Sequence, residues 1–191
     1  ISATYNGWID LFGWGTGSNP TNISGGGETY IFTDWGINQI GNDTPYTWRT
    51  LTDKEWHYLR YERNNAERLI GVAQINEVNG LILLPDDWTC PEGVGFQAGF
   101  HTERDDTYYA AYQKISHSDW SKMEQAGAIF LPAAGSRYVS QTDLVQFYGC
   151  YWTASLYNDY SACIFQFFSN GADIDNLNRS MGLSVRLVRE L

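Results

Sequence analysis

Three histidines, three cysteines and two pairs of adjacent aspartates are the residues of this 191-residue chain whose types suit covalent or metal chemistry. His57, His101 and His117 are the candidate general bases. A base needs a nucleophile within hydrogen-bond reach, and no serine or cysteine nucleophile motif accompanies any of them. Cys90, Cys150 and Cys163 form an odd set with no C-x-x-C spacing, so they outline neither a disulfide framework nor a zinc site. A Cys150–Cys163 bridge, a reactive thiol and buried free thiols acting as small hydrophobes all remain open. Asp86-Asp87 and Asp105-Asp106 are acid pairs of the kind used in glycoside hydrolysis or calcium binding. Asp86-Asp87, however, closes a Leu84-Pro85-Asp86-Asp87-Trp88 stretch after an apolar run, where carboxylates more simply cap backbone N–H groups. The expectation is a chain with no catalytic residue, no metal and no cofactor.

Binding chemistry is better represented. Between Trp152 and Gly182, framework residues Trp152, Ala162, Phe167, Arg179 and Gly182 alternate with ten residues of unrelated chemistry. These are Leu156, Tyr157, Asp159, Tyr160, Phe168, Asp173, Asp175, Leu177, Ser180 and Met181. Aromatic, apolar and acidic side chains mixed on segments held by a scaffold suit a ligand-binding surface; the alternative is that they fill a small core of their own. The eight tryptophans raise carbohydrate stacking as a second binding mode. Trp56 and Trp120 fall at helix starts, Trp8 and Trp14 in a glycine-rich loop, and Trp48, Trp88 and Trp152 beside expected elements. Trp35 is the least constrained, so a glycan site would use it with the N-terminal glycine-rich loops.

Composition narrows the partners. A net charge of −10 opposes nucleic-acid binding, which needs a basic face to neutralise phosphates. The longest aliphatic run, Leu81-Ile82-Leu83-Leu84, is far short of the ~20 residues of a membrane helix, so no span is expected. Charged residues make up 18 % against the ~25 % of an ordinary soluble domain. Aromatics at 16 % argue for a folded chain. An acidic, aromatic-rich and loop-rich chain suggests an extracellular or cell-surface module whose export signal lies upstream of Ile1.

The elements that must position these residues follow from local signals. Residues 1–47 are dominated by turn formers, including Asn19-Pro20 and Ser24-Gly25-Gly26-Gly27. Thr52 with Glu55 forms a capping box opening a helix at Asp53, and Leu51 with Trp56 forms a hydrophobic staple. Ser116, Asp119, Ile115 and Trp120 repeat this grammar for a helix from His117 that Gly127 stops. Each helix is followed by an apolar run entered through Gly and closed by Pro, Gly80 to Pro85 and Gly127 to Pro132, which reads as a buried strand. Val72 to Ile75 precedes the first, with a turn expected near Asn79-Gly80. Tyr148 to Ser155 and Ala162 to Phe168 read as strands. In the second, Cys163, Phe165 and Phe167 face one way, and Ile164, Gln166 and Phe168 the other. Ser169 to Gly182 reads as polar and irregular with a tight turn at Asn170-Gly171, and Ser184 to Val188 as a closing strand. The sum is one α+β domain over residues 1–191: two helices around a small, mostly antiparallel sheet, rich in loops.

Five stretches together resemble a known family. They are Trp8-Ile9-Asp10-Leu11-Phe12-Gly13-Trp14-Gly15; Trp48-Arg49-Thr50-Leu51-Thr52 with Glu55-Trp56; Ile82 to Trp88; Phe130 to Gly135 with Arg137; and Tyr151 to Ser155 with Asn178-Arg179 and Gly182 to Val188. The pattern resembles the FISUMP-type major paralogous domain proteins, which are similar to the formylglycine-generating-enzyme branch of the C-type lectin-like fold. The tail is also similar to the variable proteins of diversity-generating retroelements. The resemblance implies a C-type lectin-like domain at the cell surface, without the calcium-type sugar motifs of true lectins. Its function would be non-catalytic recognition or adhesion, with a protein or glycan partner on another cell or surface. It also implies an N-terminal strand segment upstream, without which Ser184 to Val188 would present an unpaired edge. The sulfatase-activating enzymes of the superfamily use a close cysteine pair, and Cys150 and Cys163 do not match it. An enzyme of that kind, a hydrolase and a purely structural surface protein are the alternatives.

Overall fold

Each helix starts where its capping side chain stands. Thr52 is extended, its hydroxyl accepts the Glu55 N–H, and the Glu55 carboxylate accepts the Thr52 N–H, completing the capping box. Helix α1 spans Asp53–His57, widens into a π-helical turn over Tyr58–Glu62, and the chain turns away through Asn65 at φ 56°. Helix α2 spans His117–Gln125, with Ser116 accepting from the Asp119 N–H. Asp119 returns its carboxylate to the Ser116 hydroxyl at 2.8 Å rather than completing a backbone box. Gly127, at φ 91°, ends the run. The staple residues Leu51 and Trp56 share one core, and Ile115 and Trp120 share another.

A computed structural model describes residues 33–102, 113–138 and 141–190. In chain order its strands are β1 (Arg49–Thr50), β2 (Ile70–Ile75), β3 (Val78–Leu83), β4 (Lys114–Ile115), β5 (Ile129–Pro132), β6 (Ser136–Tyr138), β7 (Gln141–Asp143), β8 (Gly149–Leu156), β9 (Ser161–Phe168), β10 (Gly171–Asn178) and β11 (Leu187–Val188). They form a four-stranded sheet β4-β2-β3-β5, a three-stranded sheet β10-β9-β8, and the pairs β1-β11 and β6-β7. All pairings are antiparallel except β2 with β4. The described chain is therefore mixed α+β and mostly β, with two α-helices and several small sheets where one was expected.

Alternation on the central strands builds three cores. Trp56 of α1 stacks flat on Phe165 of β9, ring centroids 4.4 Å apart, and Phe167, Tyr151, Val72, Leu81 and Leu131 complete the first core. Met123 of α2 meets Ala73, Ile75 and Ile82 in the second. Tyr148, Cys150, Trp152, Ala162, Ile164 and Leu183 form the third, on the far side of β8 and β9. The expected division of β9 is observed, with Phe165 and Phe167 in the first core and Ile164 and Phe168 at the third.

Several local expectations are corrected. The β2–β3 turn is Asn76-Glu77, at φ 49° and 66°, not Asn79-Gly80. Gly80 lies inside β3 because the Phe130 ring and the Leu131 carbonyl occupy the space of a side chain there, at 2.4 and 2.5 Å from an added Cβ. Among the described residues strand β5 pairs only with β3, and only its Leu131 is buried. Gly171 to Asn178 is regular strand rather than irregular loop, because eight residue pairs to β9 outweigh its polar composition. Its turn is Ser169-Asn170, one residue earlier than expected. The closing segment is not left unpaired: Ser184 bridges Tyr151, and Leu187–Val188 pairs with β1. Asp86 meets the buried Arg63 guanidinium at 3.3 Å rather than capping backbone amides.

Two tests follow from these local structures. The left-handed conformation of Glu77 strains any residue with a Cβ, so Glu77→Gly should raise unfolding stability by about 1 kcal/mol in denaturant titration. The Arg49 guanidinium, bonded to both Glu55 oxygens at 2.6 and 2.9 Å, and next the Thr52 N–H, hold the Glu55 carboxyl at about 2 against an ordinary 4.5. A carboxyl lowered on folding contributes stability that is complete above pH 4.5 and lost as pH falls through 2. Glu55 is more than a third exposed, so solvent screening limits the loss to about 1 kcal/mol. Unfolding measured from pH 6 down to 2 should show that decline, and Glu55→Gln should remove it.

Candidate functional site

Residues paired across antiparallel strands point to the same face. The register of β8, β9 and β10 therefore lays out rows: Leu156–Ala162–Leu177, Trp152–Ile164–Asp175, and Cys150–Gln166–Asp173, with Phe168 opposite Gly171. Five of the ten candidate binding residues, Leu156, Phe168, Asp173, Asp175 and Leu177, thus share one face, scattered though they are in sequence. Met181 joins them by packing on the same core. Phe168 stacks on Tyr148 at 4.6 Å and meets Phe147 edge-on at 5.7 Å, so Phe168, Leu177 and Met181 are half-buried parts of that core. Leu156, Asp173 and Asp175 are exposed. Asp175 accepts from Gln166 at 3.0 Å, and Gln166 accepts from the Tyr148 hydroxyl at 2.8 Å.

Tyr157, Asp159 and Tyr160 occupy the β8–β9 turn at the end of the Leu156 row. The Asn158 side chain accepts the N–H groups of Tyr160 and Ser161, both at 2.8 Å. The N–H groups of Tyr157 and Asn158 both reach the Ser161 carbonyl at 3.0 Å. From below, buried Arg179 donates its side chain to the Asp159 carbonyl and its backbone N–H to the Tyr160 carbonyl. The turn is fixed, yet Tyr157 is 63 % and Tyr160 58 % exposed. Ser180, half-buried on the following turn, donates its N–H to Asn178.

The surface extends to residues whose sequence context pointed only to a helix. Tyr61, on the π-helical turn, donates to the Asp173 carboxylate at 3.0 Å and to the Ala172 carbonyl at 3.2 Å. Burial, and then the Asp173 carboxylate, push the Tyr61 phenol up. Arg60 donates to the same carbonyl at 3.0 Å and lies over the Tyr61 ring. Gln146 clamps the base of the fold, accepting the Asn79 N–H on its side chain at 2.7 Å and the Asn79 side-chain amide on its backbone carbonyl at 2.9 Å. Its left-handed backbone, at φ 69°, gave no signal in the sequence.

The groups suited to covalent or metal chemistry are dispersed. His57 faces Glu62 at 3.1 Å on the surface, His117 faces Asn76 at 3.2 Å, and His101 donates its backbone N–H to the Ser169 carbonyl. Among the described residues, no three His, Cys, Asp or Glu side chains converge where a metal ion could sit. No helix there is long and apolar enough to cross a membrane. All three cysteines are free thiols. Cys150 lies on the third-core face and Cys163 on the other side of the sheet, so no bridge can form. Asp105-Asp106, Trp8, Trp14 and the N-terminal glycine-rich loops lie outside the described residues. Trp35 is half-buried in a 3-10 turn over Trp35–Ile37.

Comparison with known proteins bears on one part of the chain. Residues 104–188, the span that holds α2 and β4 to β11, are similar to a family described as Domain of unknown function (DUF8237). No curated protein and no solved structure matches the chain.

The thiols supply the test of this site's chemistry. Burial pushes Cys150 up to about 12 and raises Cys163, while Cys90 is exposed. Because the thiolate is the reacting form, a disulfide reagent at pH 8 should modify Cys90 alone in the native protein and all three cysteines in denaturant.

Proposed function

We propose that the protein is a non-catalytic recognition or adhesion module of C-type lectin-like fold, displayed outside the cell, that binds a protein or glycan on another cell or surface. The observation that carries this reading is the β8–β9 turn, where Tyr157 and Tyr160 are exposed on a backbone held by Asn158 and Arg179. Large aromatic side chains with few rotatable bonds, carried on a backbone already held, lose little freedom on binding, so the contact area they offer translates into affinity. Leu156 adjoins them, and Asp175 and Asp173 add hydrogen-bonding groups further along the same strand face. The pairing of β1 with β11 supports the lectin-like reading, because it closes the described domain by joining an early strand to the last one. Exposed residues on a held turn also tolerate exchange of side chains without loss of framework, as similarity to retroelement-diversified variable proteins would require.

The turn residues can be removed with little effect on the cores, whereas Phe168 packs inside one and is left intact. Printed arrays of glycans and of extracellular proteins, probed with the wild type and with the triple variant Tyr157→Ala/Asp159→Ala/Tyr160→Ala, test the reading. Capture by the wild type should be lost in the variant, while its unfolding free energy stays within about 0.5 kcal/mol. Equal capture by both, or no capture by the wild type, overturns the proposal.

A further inference from the structure

Twice within the described residues, an arginine lies over an aromatic ring beside an aspartate. Arg60 sits 4.6 Å from the Tyr61 ring centroid, and the Tyr61 hydroxyl donates to Asp173 at 3.0 Å. Arg189 sits 5.3 Å from the Trp48 centroid and 3.2 Å from the Asp43 carboxylate, which also accepts the Trp48 indole N–H at 2.9 Å. In both places the carboxylate holds the polar edge of the ring and the guanidinium covers its face, and at Trp48 an ion pair with Asp43 adds to the cation–π attraction.

The β8–β9 turn carries the same residue types, and among the described residues no arginine lies over its rings. Tyr157, Asp159 and Tyr160 fall within four consecutive residues and are all exposed. The sole basic residue between Leu156 and Met181 is Arg179. Arg179 is 3 % exposed and bonded to the backbone carbonyl of Asp159, beneath the turn. Of the three carboxylates of that stretch, Asp173 is bonded to Tyr61 and Asp175 to Gln166 along β10, while Asp159 lies on the turn itself, which is therefore negative and rich in tyrosine. A neutral glycan would leave the Asp159 charge without a counterpart, and an acidic one would meet a chain of net charge −10.

We infer that the partner is an arginine-bearing polypeptide segment, whose guanidinium docks on Tyr157 and Tyr160 beside Asp159. This rests on the reading of the turn as the recognition surface and names the chemistry of what it recognises. Arginine is favoured over lysine because a planar guanidinium stacks on a ring while it bonds a carboxylate, which a compact ammonium does not.

The test uses the full chain at about 0.15 M salt, where long-range attraction between exposed charges is largely screened. One probe is a synthetic peptide of Arg-Gly-Ser repeats, and the other is the same peptide with citrulline for arginine, which keeps the shape and removes the charge. Calorimetric titration should show the arginine peptide binding about tenfold more tightly than the citrulline peptide, and about tenfold more weakly to Tyr157→Ala/Tyr160→Ala than to the wild type. Equal affinity for the two peptides, or an arginine-peptide affinity unchanged by the double substitution, overturns the inference. Capture of uncharged glycans on the arrays, lost in the triple variant, would leave the recognition surface standing and overturn only the arginine partner.

Discussion

Strand β9 must bury both of its faces, and much of the molecule is arranged around that constraint. Ala162, Ile164, Phe165 and Phe167 have no measurable exposure. A strand with one apolar face needs one layer against it; β9 needs two. The first is supplied by α1 and the β2–β3 hairpin, through the flat stack of Trp56 on Phe165. The second is supplied by the segment around Tyr148, Leu183 and Met181, which folds back over the other side. A one-residue slip of β9 would exchange the two sets and place Phe165 against a surface shaped for Ile164.

Polar contacts across long stretches of sequence hold those layers in place. Arg63 is almost wholly buried, and its guanidinium donates to the carbonyls of Leu59, Leu84 and Leu69 and to Asp86. That single side chain ties the end of the π-helical turn to the end of β3, satisfying carbonyls that would otherwise be buried without partners. Gln146 does similar work between the β2–β3 turn and the entry to β8. Gly149 permits the approach of the Phe167 ring, which would come within 1.9 Å of any Cβ at that position. The β8–β9 turn therefore projects from a framework secured on several sides, which is why it can display tyrosines rather than bury them.

The candidate surface divides according to the same framework. Phe168 at the end of β9, Leu177 near the end of β10 and Met181 beyond it are drawn into packing on the third core. Leu156 at the end of β8, and Asp173 and Asp175 inside β10, stay in solvent. Exposed candidates and core residues thus belong to one continuous face, and the side chains packed over each position decide which it becomes.

What the sequence by itself determined is what interactions over a few residues decide. The caps at Thr52 and Ser116, the stop at Gly127 and the two-residue alternation from Ala162 to Phe168 are all of this kind, and the structure carries them where the pattern placed them. Tertiary structure decided the rest. Gly171 to Asn178 reads as loop because Asp and Asn disfavour strands, yet pairing with β9 makes it one. Asn79-Gly80 reads as a turn, but the Phe130 ring, fifty positions away, accounts for that glycine, and the turn falls on Asn76-Glu77 despite the strain. Asp86 reads as a cap, but its partner is Arg63. The ten candidate residues were legible as an unusual mixture in the tail. Which of them reach solvent was not, because exposure depends on strand register and on the layers packed over each strand, neither of which any run of neighbouring residues encodes.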